Sequence, residues 1–484
     1  MSEAVRALEP NALWNHFADL NAVPRASKKE ERVIQFMKDF GNGLGLETIV
    51  DEVGNVIIRK PATSGMEDRT PIVMQSHLDM VHQKNNDTVF DFETQGIDMF
   101  IDGDWVRANG TTLGADNGLG VATIMAVLAS DSIEHPALEA LFTIDEETGM
   151  TGAMGLKGGL LKGGILLNLD TEEDDEIGVG CAGGVDVTAT GSYSKMDAPN
   201  NSQAYTISLT GLQGGHSGMD IIKELGNANK LMNRILASVS DISFVAQING
   251  GSLRNAIPRE SVATVVVPME NVSDFVKRVE TAQFHIIDEF KLLEPELAIE
   301  TQKVEMPSSV MSKEDQNQLI NAVYGAHNGV YRMSPAIEGL VEASNNIAKV
   351  TVANGAVKIE CLTRSSVESS KDDVANSLKA VFEMAGYDVS FSGEYPGWAP
   401  NMDSPILKVM EQLYVDLNGE KPHVAACHAG LECGILGQNY PEMDMISFGP
   451  TIKGAHSPDE RASISSTLKY WNFVVETLKN IPRS

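Results

Sequence analysis

Three apolar runs near the start of the chain each end in side chains capable of chemistry: PIVMQSHLD over 71–79, LFTIDEE over 141–147 and LLNLDTEE over 166–173. Runs this short and this continuously apolar read as strands buried on both faces, the mark of a parallel sheet. Helix-length stretches lie between them, among them LGVATIMAVLAS after a glycine turn, and complete βαβ units. In such sheets ligands gather beyond the carboxyl ends of the strands. The polar residues at 77–79, 145–147 and 170 therefore fall where a site would form.

The same reading places amphipathic helices at 11–21 and 29–41 and strands at LETIV and NVIIRK. Around 187–203 a polar, turn-rich stretch predicts a linker. Beyond it the expected order is strand 204–212, helix 218–238, strands 244–250 and 260–268, helix 271–290 and a strand near 297–304. Helix 313–326, strands 342–353 and 356–364, helix 370–386 and strand 388–395 follow. The first set is β-α-β-β-α-β and the second α-β-β-α-β, which predicts two ferredoxin-like lobes. PGWAPNMD at 396–403 marks a second crossing, and helices 404–417 and 464–479 return to the first domain. The expected organisation is an α/β domain with a mostly parallel mixed sheet, built from 1–188 and 399–484. An α+β domain over 189–398 interrupts it, with lobes at about 189–305 and 306–398.

Composition narrows the function. The chain has 484 residues, which at roughly 150 per domain suggests two or three domains, and 67 acidic against 37 basic side chains give a formal charge of −30. Nucleic-acid binding relies on clustered Lys and Arg, so neither nucleic acid nor an anionic membrane is an expected partner. Cys181, Cys361, Cys427 and Cys433 are scattered, which fits a reducing cytoplasm. The opening MSEAVRALEPNALWNHF has acidic residues and no apolar core of signal-peptide type. No uncharged run of roughly 18 residues is apolar enough to span a bilayer.

His77, Asp79, Asp116, Glu146, Glu147, Asp170 and His456 form a nitrogen and oxygen donor inventory without thiolate. It suits a hydrolytic zinc, cobalt or manganese site. Two histidines and three carboxylates serve two ions if one carboxylate bridges, a known hydrolytic arrangement. Each residue also has a plainer reading. A strand-end histidine is commonly a hydrogen-bonded structural one, although in H-x-D the aspartate can fix the imidazole tautomer. The glycines around Asp116 suit a tight strand-to-helix connection and lack the Gly-Lys-Ser/Thr of a phosphate loop. Asp-Glu-Glu runs are often solvated faces, and the run Glu172 to Glu176 reads as one.

Taken together, SHLDMV, GTTLGADNG, TIDEETGM, LLNLDTEE, GGHSG, RNAIPRE, HAGLECG and GPTIKGAHSPDE resemble, in order and from end to end, the di-zinc metallopeptidase family of carnosinases, aminoacylases and glutamate carboxypeptidases. Within it the chain is most similar to the bacterial branch that splits aminoacyl-histidine dipeptides. The resemblance implies a zinc-exopeptidase fold whose inserted domain is a lid, and two zinc ions per chain, replaceable by cobalt or manganese. It implies that Asp116 bridges the ions, that His77 and Asp170 complete one ligand set and Glu147 and His456 the other. Glu146 matches the general base, Asp79 the residue orienting His77, and the Asp116–Asn117 peptide is cis in relatives. His216 matches a lid histidine that polarises the substrate carbonyl, and Asn255, Arg364 and Gly430 match positions holding the substrate's C-terminal end. The implied substrate is a dipeptide of Xaa-His type such as β-alanyl-histidine, and the preferred assembly is a homodimer. Rival readings are an aminoacylase, a tripeptidase or a broad dipeptidase of the same family, and a metal-dependent binding protein without catalysis. A Ser-His-Asp hydrolase is disfavoured by the absence of a G-x-S-x-G elbow.

Overall fold

The computed structural model describes residues 3–483. They divide into two compact units, one of residues up to Gly180 with 400–426 and 431–483, the other of 181–399 with 427–430.

Among the described residues the first unit is built on an eight-stranded sheet. Its centre is parallel: Leu138–Thr143, Ile72–His77, Ile165–Asn168 and Asp444–Ser447 lie side by side in that order. Its flanks are antiparallel, with Val56–Lys60 pairing Leu138–Thr143 on one side and Glu176–Cys181 pairing Asp444–Ser447 on the other. The strands Ile72–His77, Leu138–Thr143 and Ile165–Asn168 are buried at every residue, as continuous apolar runs require. Helix Ala115–Ala129 is buried along nearly its whole length, which explains why LGVATIMAVLAS carries no polar stripe. A smaller sheet pairs Met99–Asp102, Trp105–Ala108, Arg461–Ser463 and Ile452–Lys453.

The second unit, among the same residues, holds a nine-stranded antiparallel sheet. Residues 183–192, inside or beside the stretch expected to be a linker, form a strand instead. Val185, Val187 and Ala189 alternate into the core while Thr190 and Ser192 face out, and threonine is as strand-compatible as it is polar. This strand lies between Ala356–Ser365 and Asp388–Tyr395. It supplies the missing first strand of the second lobe, whose sheet order then matches that of the first. The first lobe orders its strands as Ala298–Val304, Ser202–Thr210, Ser261–Pro268 and Phe244–Gly250. It is thus inserted into the second lobe after that lobe's first strand. The two join edge to edge where Ile248, Asn249 and Gly250 pair with Val352, Thr351 and Val350. Side chains of helices Ala228–Ser238, Val272–Phe290, Lys313–Gly325 and Glu368–Met384 share one apolar core with both lobes' strands.

The helix expected over 218–238 begins only at Ala228, where the Asn227 side chain accepts from the N–H groups of Asn229 and Lys230. Before it, Glu224 adopts a positive φ of 54°, and that left-handed residue ends the short turn Ile221–Lys223. The other expected helices and strands of this unit lie within a few residues of their places.

Candidate active site

His77 is the last residue of its strand, and Asp170 follows Ile165–Asn168 by two residues. Glu146 and Glu147 open a short helix, Glu146–Gly149, just beyond Leu138–Thr143. Asp116 stands in the first turn of helix Ala115–Ala129 with non-helical backbone angles, and the Asp116–Asn117 peptide is cis. His456 lies in a loop at a positive φ of 63°.

These side chains converge. Nε2 of His77 is 3.2 Å from Oδ1 of Asp116 and 3.4 Å from Oδ1 of Asp170. On the other side, Nε2 of His456 is 3.1 Å from Oδ2 of Asp116 and 3.0 Å from Oε2 of Glu147. Asp116 therefore offers one oxygen to each histidine, and the donor atoms of His77, Asp116 and Asp170, like those of Asp116, Glu147 and His456, all lie within 4.8 Å of one another. Glu146 joins a third such group with His77 and Glu147. Asp79 is fully buried. Its Oδ1 lies 3.3 Å from Nδ1 of His77 and accepts from the Glu146 N–H at 3.0 Å, and its Oδ2 accepts from Glu147 N–H and the Ser27 hydroxyl. It thus links the histidine to the turn that carries both glutamates.

The electrostatics call for cations. Asp79, Asp116, Glu146, Glu147 and Asp170 carry five formal negative charges in buried or half-buried positions, an expense seldom met without counter-charge. Burial opposes the charge on Asp116, but hydrogen bonds from His456 and His77 outweigh it and hold the carboxyl well below its usual range. Hydrogen bonds to Asp116 and Glu147 push His456 up to about 11. Burial lowers His77, yet Asp170, Asp116 and Asp79 raise it further than burial depresses it. The carboxylates thus favour the charged form of both imidazoles, the part that divalent cations would take in a loaded site. Oε1 of Glu147 is buried with no hydrogen-bond partner. A donor set of two imidazoles and three carboxylates fits a pair of divalent, nitrogen- and oxygen-loving ions. Burial also pushes Glu146 well above the usual carboxylate range; His77 opposes that, and Asp170, Glu432 and Glu147 add to it.

Several supporting residues lie outside the sequence reading. The Glu460 carboxylate accepts from four successive backbone N–H groups, Leu113, Gly114, Ala115 and Asp116, at 2.7–3.3 Å. It holds the turn that presents Asp116, and its only sequence signal was its place in AHSPDE. Buried Arg25 donates to the carbonyls of Leu78, Asp79 and Gly114; a Cβ on Gly114 would come within 2.5 Å of that guanidinium. Asn117 donates to Oδ1 of Asp170 at 2.5 Å. The run Glu172 to Glu176, expected as solvated surface, is largely half-buried. Glu173 pairs with Lys453, Asp174 with Lys469 and Glu176 with His423, and burial pushes Glu172 up to about 8.

His216, Asn255, Arg364 and Gly430 belong to the second unit. Nδ1 of His216 accepts from the N–H groups of Gly218 and Met219, which leaves the imidazole proton on Nε2. Burial, helped by Arg364, lowers this histidine to about 4, so the ring is neutral near pH 7. Nε2 faces Nη2 of Arg364 at 3.5 Å. With the ring proton on Nε2 both atoms are donors, so neither satisfies the other. Arg364 is buried, donates through Nη1 to the Tyr395 hydroxyl at 2.6 Å, and keeps an unpartnered Nε. The exposed Asn255 accepts through its carbonyl from the Ser217 N–H, next to His216. Gly430 ends the stretch Cys427–Gly430, where buried His428 lies 2.8 Å from the Ser344 hydroxyl.

The model of Peptidase family M20/M25/M40 matches residues 73–480. The chain is 44% identical, over the full length of both, to the cytosol non-specific dipeptidase of Escherichia coli strain K12. It superposes on the crystal structure of aminoacylhistidine dipeptidase from Vibrio alginolyticus with a TM-score of 0.94, 43% identity and complete coverage of both chains. Aminopeptidase PepT from Bacillus cereus shares the fold at a TM-score of 0.58 and 16% identity, over 98% of this chain and 99% of that one. A match over most of the chain, together with a full-length relative at this identity, makes the protein a member of Peptidase family M20/M25/M40.

Proposed function

We propose that the protein is a metal-dependent dipeptidase acting on peptides of Xaa-His type such as β-alanyl-histidine. The observation that carries this reading is Asp116, whose two oxygens face His77 and His456 while Asp170 and Glu147 close the two ligand sets. His77, Asp116 and Asp170 would hold one zinc ion and Asp116, Glu147 and His456 the other. Bound there, such ions polarise a carbonyl and bring the pKa of a water toward neutrality. Glu146 takes the proton of the attacking water and passes it to the leaving amine, the double duty of a placed acid and base. Asp79 keeps His77 in the tautomer that presents Nε2 to the metal. The Nε2–H of His216 donates to the oxygen that gains charge, and Arg364 pairs with the substrate's terminal carboxylate. Asn255 and Gly430 hold the same end of the peptide. A cytosolic location accords with the name of the Escherichia coli relative.

That relative's name, non-specific dipeptidase, favours a second reading with the same chemistry and a broader choice of dipeptides. Hydrolysis rates for β-alanyl-histidine, other dipeptides, tripeptides and N-acetyl amino acids separate the readings, and a preference for acetylated substrates would overturn both. Stripping the metal with a chelator is expected to abolish turnover and to lower the thermal unfolding midpoint, with both restored by added zinc. Ligand at about 100 times its Kd contributes roughly 2.7 kcal/mol, and an unchanged midpoint would contradict a tightly held metal pair. Arg364→Met is expected to raise KM by about 10- to 100-fold, the worth of a charged hydrogen bond, with a smaller effect on kcat. An unchanged KM would remove Arg364 from the substrate's carboxylate.

A further inference from the structure

One layer beneath the proposed ligand residues, a chain of polar side chains, buried from Ser447 onward, crosses the parallel centre of the sheet. The Thr171 and Ser447 hydroxyls lie 2.8 Å apart, Ser447 donates to Oδ1 of Asn168 at 2.5 Å, and Nδ2 of Asn168 donates to Oε1 of Gln75 at 2.6 Å. Nε2 of Gln75 in turn donates to Oε2 of Glu432 at 2.7 Å, and the Thr143 hydroxyl donates to the same oxygen at 2.6 Å. From Ser447 onward every donor points one way, and Glu432 is the acceptor on which the chain ends. Ser447, Asn168, Gln75 and Thr143 come one each from the four central strands, Gln75 standing opposite Asn168 and Asn168 opposite Ser447. Gln75 precedes His77 by two residues, Asn168 precedes Asp170 by two, and Thr143 precedes Glu146 by three. Glu432 has no exposed surface, and its Oε1 is buried without a partner.

We infer that Glu432 is a positioning residue: as the common acceptor of this chain it ties the carboxyl ends of the strands together and so sets the spacing of His77, Glu147 and Asp170. This rests on the metal-dependent reading above. An alternative role as simple filling would need only volume at this position, whereas Gln75 and Thr143 need an acceptor. Burial pushes the Glu432 carboxyl up to about 8, against the pull of the Thr143 hydrogen bond.

The test compares Glu432→Met, which fills the space but accepts nothing, with Glu432→Gln, which keeps an acceptor oxygen. Zinc affinity by chelator competition, kcat and KM for β-alanyl-histidine, and the unfolding midpoint of the metal-free chain are measured for each. Glu432→Met is expected to lose 10- to 100-fold in zinc affinity, the usual range for residues that support ligands, with kcat falling and KM steady. Glu432→Gln should recover most of both. Should Glu432→Met fail to fold, Thr143→Val removes one donor isosterically and is expected to weaken zinc by several-fold. Equal zinc affinity in the folded Met and Gln variants, or in Thr143→Val and the parent, overturns the inference. A parent chain that binds no zinc overturns instead the reading on which it rests.

Discussion

Glu146→Gln is expected to keep two metal ions per chain and to lower kcat for β-alanyl-histidine by roughly 10²- to 10⁴-fold, the usual contribution of a placed general base. Glutamine has nearly the same shape and keeps the backbone N–H that Asp79 accepts, so the turn at 146–147 stays in place. What disappears is the carboxylate that, in the proposed role, holds the proton of the attacking water. Metal analysis of the purified variant alongside steady-state kinetics decides the matter. A kcat within a few-fold of the parent would remove Glu146 from proton transfer. Loss of metal would instead make it a ligand, a role its grouping with His77 and Glu147 keeps chemically open.

For Asp116→Ala the expected result is the loss of both metals together with the activity, kcat/KM falling by at least about 10³-fold, or roughly 4 kcal/mol of transition-state stabilisation. The reason lies in how its oxygens are divided. One faces His77 and the other His456, so on the proposed metal assignment a single truncation opens both ligand sets. Removing Asp170 or Glu147 opens one set each, and those variants should keep more metal than Asp116→Ala does. Two metals per chain in Asp116→Ala would refute the shared role. The four N–H groups held by Glu460 make local unfolding a poor explanation of the effect, because they belong to the backbone and survive the substitution.

The sequence was most legible where hydrophobic pattern and chemistry coincide. His77, Glu147 and Asp170 could be placed at strand ends because the short runs before them are mostly apolar, a texture that suits a buried parallel strand. The long helices at 272–290, 405–418 and 464–479 announced themselves by period. The strand at 183–192 was hidden because Thr188, Thr190 and Ser192 look like a loop until Val185, Val187 and Ala189 are seen to alternate with them. Glu460 and Arg25 escaped for a different reason. Each works through backbone atoms of distant segments, Glu460 on 113–116 and Arg25 on the carbonyls of 78, 79 and 114. Such partners leave no side-chain pattern to read. Glu432 and the chain it terminates depend on the lateral order of four strands, which only the folded sheet defines.

The nesting of one lobe inside the other bears on how such a protein can be assembled and rebuilt. Residues 195–197, on the way into the inner lobe, run antiparallel against 309–311 on the way out, so entry and exit form a narrow stem. Excising 202–304 at that stem leaves ends already side by side, a gap that a hairpin turn closes. The outer lobe would keep all four of its own strands. Its newly bared edge at Val350–Val352, now covered by Ile248–Gly250, would be an unpaired ladder open to another chain. In the intact molecule the grafted lobe occupies that seat, and a shortened version would offer it to a second copy of itself.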